Sequence, residues 1–412
     1  MRLLMACEIL LLTMMVGCTS TESYRKVYSV QEGEPASTQP SSCRNSVENI
    51  DKTQHQIAYV ELTDQGLFHD RAQFKTALDL LKSRGEKALN IVLYIHGWKH
   101  SAACDDENVR HFRNEVLPIL ADGMDARTVG IYVGWRGAVL DVAPALQSVT
   151  FYDRKGAADH IARGSIRELI SRLRSIRHAA SRDDLSRLPK RTVSLTLIGH
   201  SFGGLILYNS IAESLFESAV SANRQPIADL VLLLNPAFEA ARFEPLFQAA
   251  KDPDLDSDGR SPVDSKPLRP IFVSITSQAD LATRIAFPMG RTINTMLQHE
   301  GWVSEDEGYT QNYADRIEKV ANTHTIGHIE RYRTHNLAMG HDPSVSMDNQ
   351  AISCAEFKNP LVSDPARFPL WNLYANAQVI GGHDDIFQPN LWRFVKELSN
   401  PKTDLSLVCR HL

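Results

Sequence analysis

The sequence predicts an α/β fold: a mostly parallel central sheet with helices on both faces. Three observations carry this. From about residue 56 onward, short runs of β-branched residues alternate with longer amphipathic stretches, the pattern of strands joined by helical crossovers. The run Leu89–Ile95 is nearly all apolar, as a strand covered on both faces must be. The run Val193–Ile198 leads through a glycine-flanked turn straight into a helical pattern.

Ile57–Leu62 reads as an edge strand, and Arg71–Arg84 has apolar residues Ala72, Phe74, Leu78 and Leu81 near helical spacing. After the strand Leu89–Ile95 come a helix over Val109–Leu120, a strand at Val129–Val133 and a helical region over Ala157–Ala180. Then follow the strand Val193–Ile198, a helix over Leu205–Leu215, and strands at Asp229–Leu234 and Pro270–Ile275. Leu391–Leu398 is the last helix. Lys251–Pro270 is acidic and Pro-rich, hence a loop. The segment from about 284 to 380 is polar and weakly periodic, and is expected to be a cap-like insertion before the final core elements.

The 412 residues are 43% hydrophobic and 23% charged, enough for a sizeable core. A net charge of -5 points to no nucleic-acid partner, and no basic run suggests a membrane-surface patch. Arg2 and the apolar run ending at Val16–Gly17–Cys18 have the form of a secretory signal, too short to span a bilayer, which needs about 20 apolar residues. The Val-Gly-Cys ending resembles the lipobox of bacterial lipoproteins, which implies lipidation at Cys18. With no Asp following, the resemblance implies an outer-membrane position facing the periplasm.

Residues 18–55 show no apolar period and read as a flexible tether. Beyond Cys7 and Cys18 remain Cys43, Cys104, Cys354 and Cys409, an even number that permits two disulfides in three connectivities. A chain-closing Cys43–Cys409 pair is one of these.

The chemistry concentrates in Gly199–His200–Ser201–Phe202–Gly203. A nucleophilic serine on a tight strand-to-helix turn needs neighbours without side chains two residues to either side, and the helix behind it favours developing negative charge. An oxyanion hole needs two backbone N–H donors. Phe202, directly after the serine, supplies one. The other is expected from the loop His96–Gly97–Trp98, ending the buried strand, which resembles the His-Gly-X signature of α/β-hydrolases; the resemblance implies the Trp98 amide as donor, and His96 reads as structural. Asp280 ends the loop after the strand Pro270–Ile275 and is the expected acid, with Glu239 as rival. His383, after Gly381–Gly382, is the expected base, because its pKa lies near neutrality; His341 is the alternative. Asp384 and Asp385 read as caps of the last helix. Trp135–Arg136–Gly137 is placed at the pocket rim or packed on the sheet.

In this order these motifs resemble the α/β-hydrolase superfamily of serine esterases and lipases. The resemblance implies a Ser201–His383–Asp280 triad that cleaves carboxylic esters through an acyl-enzyme, without a cofactor, on a small-molecule or lipid ester. Two other readings stay open: an acyltransferase of the same fold, and a non-catalytic envelope binding protein. Asp254, Asp256, Asp258 and Gly259 match the start of a calcium loop, but Ser265 stands where its Glu belongs. His324, His328, Glu330, His335 and His341 lack any zinc motif. No metal is therefore expected.

Overall fold

A computed structural model describes residues 22–27, 42–50, 55–82, 88–137, 144–181, 192–220, 226–251, 269–295, 311–340, 351–359, 361–362, 368–400 and 402–410. Cys18, the calcium-like stretch from Asp254 to Ser265 and His341 lie outside the described residues.

The chain runs through β1 (Val47–Ile50), β2 (His55–Glu61), α1 (Arg71–Leu81) and β3 (Ala88–Ile95). Next come α2 (Glu107–His111) and α3 (Leu117–Ala121), joined by a π-helical turn, and β4 (Arg127–Gly134). Then follow α4 (Pro144–Arg163), α5 (Ile166–Ser181), β5 (Thr192–His200), α6 (Phe202–Val220), β6 (Leu230–Leu234), α7 (Glu244–Lys251) and β7 (Phe272–Ser277). The last part holds α8 (Phe287–Asn294), α9 (Gln311–Thr323), β8 (His335–Gly340), β9 (Ala351–Glu356), β10 (Leu370–Ala375), α10 (Pro389–Ser399), α11 (Leu405–Val408) and β11 (Cys409–Arg410).

The strands form a single sheet in the order β1-β2-β4-β3-β5-β6-β7-β10-β8-β9-β11. Among the described residues, every pairing from β2 through β8 is parallel, and the two antiparallel pairings, β1 with β2 and β8 with β9, lie towards the edges.

Alternation along the strands divides the core in two. On β3, Leu89, Ile91, Leu93 and Ile95 face one layer with α1, α5 and α6. Val92 and Tyr94 face the other, with α3 and α10. Successive side chains of a strand point to opposite faces, so an all-apolar strand feeds both layers. Each fully buried Leu or Ile contributes on the order of 1.5–3 kcal/mol. Among the described residues, no helix is long and apolar enough to cross a membrane.

Five expectations need correction. Ile57–Leu62 does not form an edge, because β1 pairs outside β2. The helical region over Ala157–Ala180 is two helices, α4 and α5, which meet at Gly164, where any Cβ would lie 2.2 Å from the Gly66 carbonyl oxygen. The 284–380 segment is not a cap outside the core: it supplies β8, β9 and β10, and β10 pairs with β7 along its whole length.

Nor is 18–55 simply a tether. Residues 22–27 and 42–50 dock on the body, with the Tyr24 and Arg25 N–H groups donating to the Glu61 carboxylate at 2.9 and 2.8 Å. The fully buried Arg25 guanidinium donates to the Ala102 carbonyl and lies 3.6 Å from the centre of the Tyr59 ring. Finally, the disulfides are Cys43–Cys104 and Cys354–Cys409; Cys43 and Cys409 do not pair. The first spans 61 residues, so a Cys43→Ser/Cys104→Ser variant is expected to lose about 4 kcal/mol, read as a lower urea midpoint.

Candidate functional site

Ser201 stands between β5 and α6 in the left-handed region, with φ 55°, a conformation that disfavours any residue with a Cβ. The surrounding backbone holds it there: its N–H donates to the Leu234 carbonyl at 3.0 Å, and its carbonyl accepts from Gly204 and Ala237. The flanking glycines are sterically required. A Cβ on Gly199 would lie 2.6 Å from the Gly203 carbonyl oxygen, and one on Gly203 would lie 2.1 Å from that of Ile95. No rotation of a side chain relieves a clash with backbone. Gly203→Ala is expected to cost about 3 kcal/mol, measured by chemical unfolding.

Three groups expected from sequence converge on this turn. His383 Nε2 accepts the Ser201 hydroxyl at 2.7 Å. His383 Nδ1–H donates to Asp280 Oδ2 at 2.8 Å. Asp280 is fully buried, just beyond the end of β7. Burial opposes its charge, but the hydrogen bond and charge of His383, with two donors from Thr283, hold its carboxyl below the usual range. Burial likewise opposes protonation of His383, yet Asp280 outweighs it and, with Asp384, holds the imidazole above its ordinary value. Such a chain lets the imidazole take the serine proton while a fixed carboxylate stabilises the resulting cation.

The two residues expected to supply the oxyanion amides lie on segments next to the serine. Phe202 opens α6, where the first N–H groups have no intrahelical partner. Gly97, the residue before Trp98, abuts the serine so closely that a Cβ there would meet Ser201 Cβ at 2.8 Å. The loop is braced: Lys99 N–H donates to Gly137, and Gly137 N–H to His100. His96 is structural, as expected. Its Nδ1–H donates to the Gly97 carbonyl, its Nε2 accepts the Trp135 N–H, and burial depresses its pKa to about 4. Trp135 is packed on the His96 ring rather than at a rim.

Glu239, the rival acid, lies elsewhere, in ion pairs with Lys155, Arg242 and Arg291. Asp384 and Asp385 do not cap α10, whose N-cap is Gln388; Asp385 instead accepts the Gly381 N–H at 2.8 Å. Among the described residues, His324, His328 and His335 do not form a group that could hold a metal ion. Among the described residues, two groups could hold a metal ion. One contains two cysteines already joined to each other, and the other contains His383 itself.

Several residues at the site carried no sequence signal of a role. Asn235, at φ 43°, donates to the carbonyls of Gly382 and His383 at 3.1 and 2.9 Å and accepts the Ser277 N–H at 2.9 Å. It ties the base-bearing loop to two strand ends. The only hint was an Asn-Pro pair after a strand, a turn signal. His200 Nε2–H donates to the same His383 carbonyl at 2.9 Å, and burial pushes its pKa down to about 3. Phe151 packs on Phe202 and Trp98, with ring centroids 4.8 and 5.5 Å away, an aromatic wall against the two residues expected to supply the oxyanion amides.

No protein-family model matches the chain, and no curated protein matches it. Among solved structures, it is similar to phospholipase PlaB from Legionella pneumophila in complex with thio-NAD. That alignment has a TM-score of 0.24 and 15% identity, covering 65% of this chain and 49% of the other. The chain thus spans about half the length of that structure, and a likeness this remote carries no functional argument.

Proposed function

We propose that this chain is a serine hydrolase of the α/β-hydrolase type that cleaves carboxylic esters, with Ser201 as nucleophile, His383 as base and Asp280 as acid. The observation that carries the reading is the unbroken hydrogen-bond chain from Asp280 through His383 to Ser201, on a serine in the left-handed region. His383 removes the Ser201 proton as Oγ attacks the ester carbonyl. The Trp98 and Phe202 amides receive the oxyanion, and His383 returns the proton to the leaving alcohol. Water, activated by the same imidazole, then releases the acid. The aromatic wall and the exposed apolar side chains Leu281, Ile285 and Met289, which follow Asp280 at intervals of four, favour an ester with an apolar acyl chain.

The test is turnover of p-nitrophenyl esters of graded acyl length, with acetate giving a lower kcat/KM than butyrate or octanoate. No turnover at any length would overturn the reading. The acid limb carries a second expectation. His383 acts only when neutral, and its pKa is raised above 6.5. So kcat/KM climbs with pH through a limb above 6.5 and is lost below it.

The lipidation at Cys18 and an outer-membrane position facing the periplasm belong to the same proposal. Their support is the Val16–Gly17–Cys18 sequence. Cys18→Ser is expected to move the protein from the membrane fraction to the soluble one.

A further inference from the structure

Asp280 makes more contacts than gripping His383 requires. Its Oδ1 accepts the Thr283 N–H at 3.0 Å, and its Oδ2 accepts both His383 and the Thr283 hydroxyl. Thr283 Oγ1 in turn lies 2.9 Å from His328 Nε2. A hydroxyl has one proton, and an ionised carboxylate can only accept. The Thr283 proton therefore goes to Asp280, and His328 Nε2–H donates to Thr283 Oγ1. Were Nε2 unprotonated, Thr283 could turn its proton to His328 and leave Asp280 one donor short.

His328 is held firmly enough for this. Its turn, Ile326–His328, sits on β7 and β10: a Cβ on Gly327 would lie 2.0 Å from Thr276 Oγ1, and the Ile326 carbonyl accepts from the buried Asn372.

We infer that Thr283 and His328 are positioning residues for the acid of the site: His328 aims the Thr283 hydroxyl at Asp280, and together they fix the carboxylate that grips His383. The inference rests on the serine hydrolase reading. The groups facing His328 are Asp280, Arg333, Arg284, His324 and the Tyr374 ring; those facing His383 are Asp280, Asp384 and His200.

The test compares Thr283→Val, Thr283→Ser, His328→Phe, His328→Gln and the Thr283→Val/His328→Phe pair, using p-nitrophenyl butyrate across pH and NMR titration of His383. Thr283→Val is expected to lower kcat about 10- to 100-fold with KM unchanged. A carboxylate that loses a donor is more basic and holds the His383 proton more tightly, so the acid limb and the His383 titration both move to higher pH. Thr283→Ser and His328→Gln, which keep a donor, stay close to wild type. The double variant moves the limb no further than Thr283→Val alone, because His328 acts through Thr283.

A fall in kcat with the limb unmoved or lowered, or additive shifts in the double variant, would overturn the inference. An inactive wild type would count against the hydrolase reading instead, since the His383 titration still reads the shift.

Discussion

Ser201→Ala is expected to lower kcat on the order of 10^6-fold while KM changes little. The substitution deletes the atom that forms the acyl-enzyme and leaves the rest of the site standing. The turn does not depend on the hydroxyl: it rests on backbone bonds from Ser201 N–H and to its carbonyl, and on glycines at 199 and 203 where a Cβ would clash with backbone. Alanine accepts the left-handed φ of 55° no worse than serine. The variant should therefore fold, bind ester and fail to turn it over. A steady-state comparison on p-nitrophenyl butyrate reads both parameters. A residual rate within tenfold of wild type would mean that another group attacks the carbonyl.

Asp280→Asn is expected to lower kcat about 10^4-fold. Asparagine has nearly the same shape, so packing in this buried position survives. What changes is the polarity of the contact with His383. The amide can present its NH2 to Nδ1, which then becomes the acceptor and places the imidazole proton on Nε2, facing Ser201. In that tautomer the ring cannot take the serine proton. The attraction that raises the His383 pKa is lost as well, so the residual activity should show its acid limb at lower pH than wild type. A kcat within tenfold of wild type would show that the carboxylate has no part in the reaction.

The sequence made the reacting groups legible because each obeys a local rule. The Ser201 turn demands glycines on both sides, and glycines leave a readable trace. Asp280 follows a six-residue strand and His383 follows a glycine pair, so their positions along the chain were enough. The residues that hold these groups in place left no such trace. Asn235, His200 and His328 act through contacts between segments 42 to 183 residues apart, which no period or short motif records; Thr283 meets Asp280 only three residues away, a spacing common to any helix start.

The outer strands were hidden for a different reason. Asn372 breaks the apolar run of β10, yet it is buried, with its side-chain NH2 donating to the Ile326 carbonyl and its backbone N–H to the Thr334 hydroxyl. In β8, only His335 and Leu337 are buried, so the run lacks the apolar density of a central strand. The docking of residues 22–27 is equally silent in sequence, since a buried arginine paired with Glu48 looks like any charged stretch.

The most direct test of the central claim is peptide mapping by mass spectrometry after treating the folded protein with a fluorophosphonate. The account predicts one stoichiometric adduct, on Ser201, formed more slowly while an ester substrate is present and abolished in His383→Ala. A folded protein that takes no label, or takes it on another residue, would contradict it.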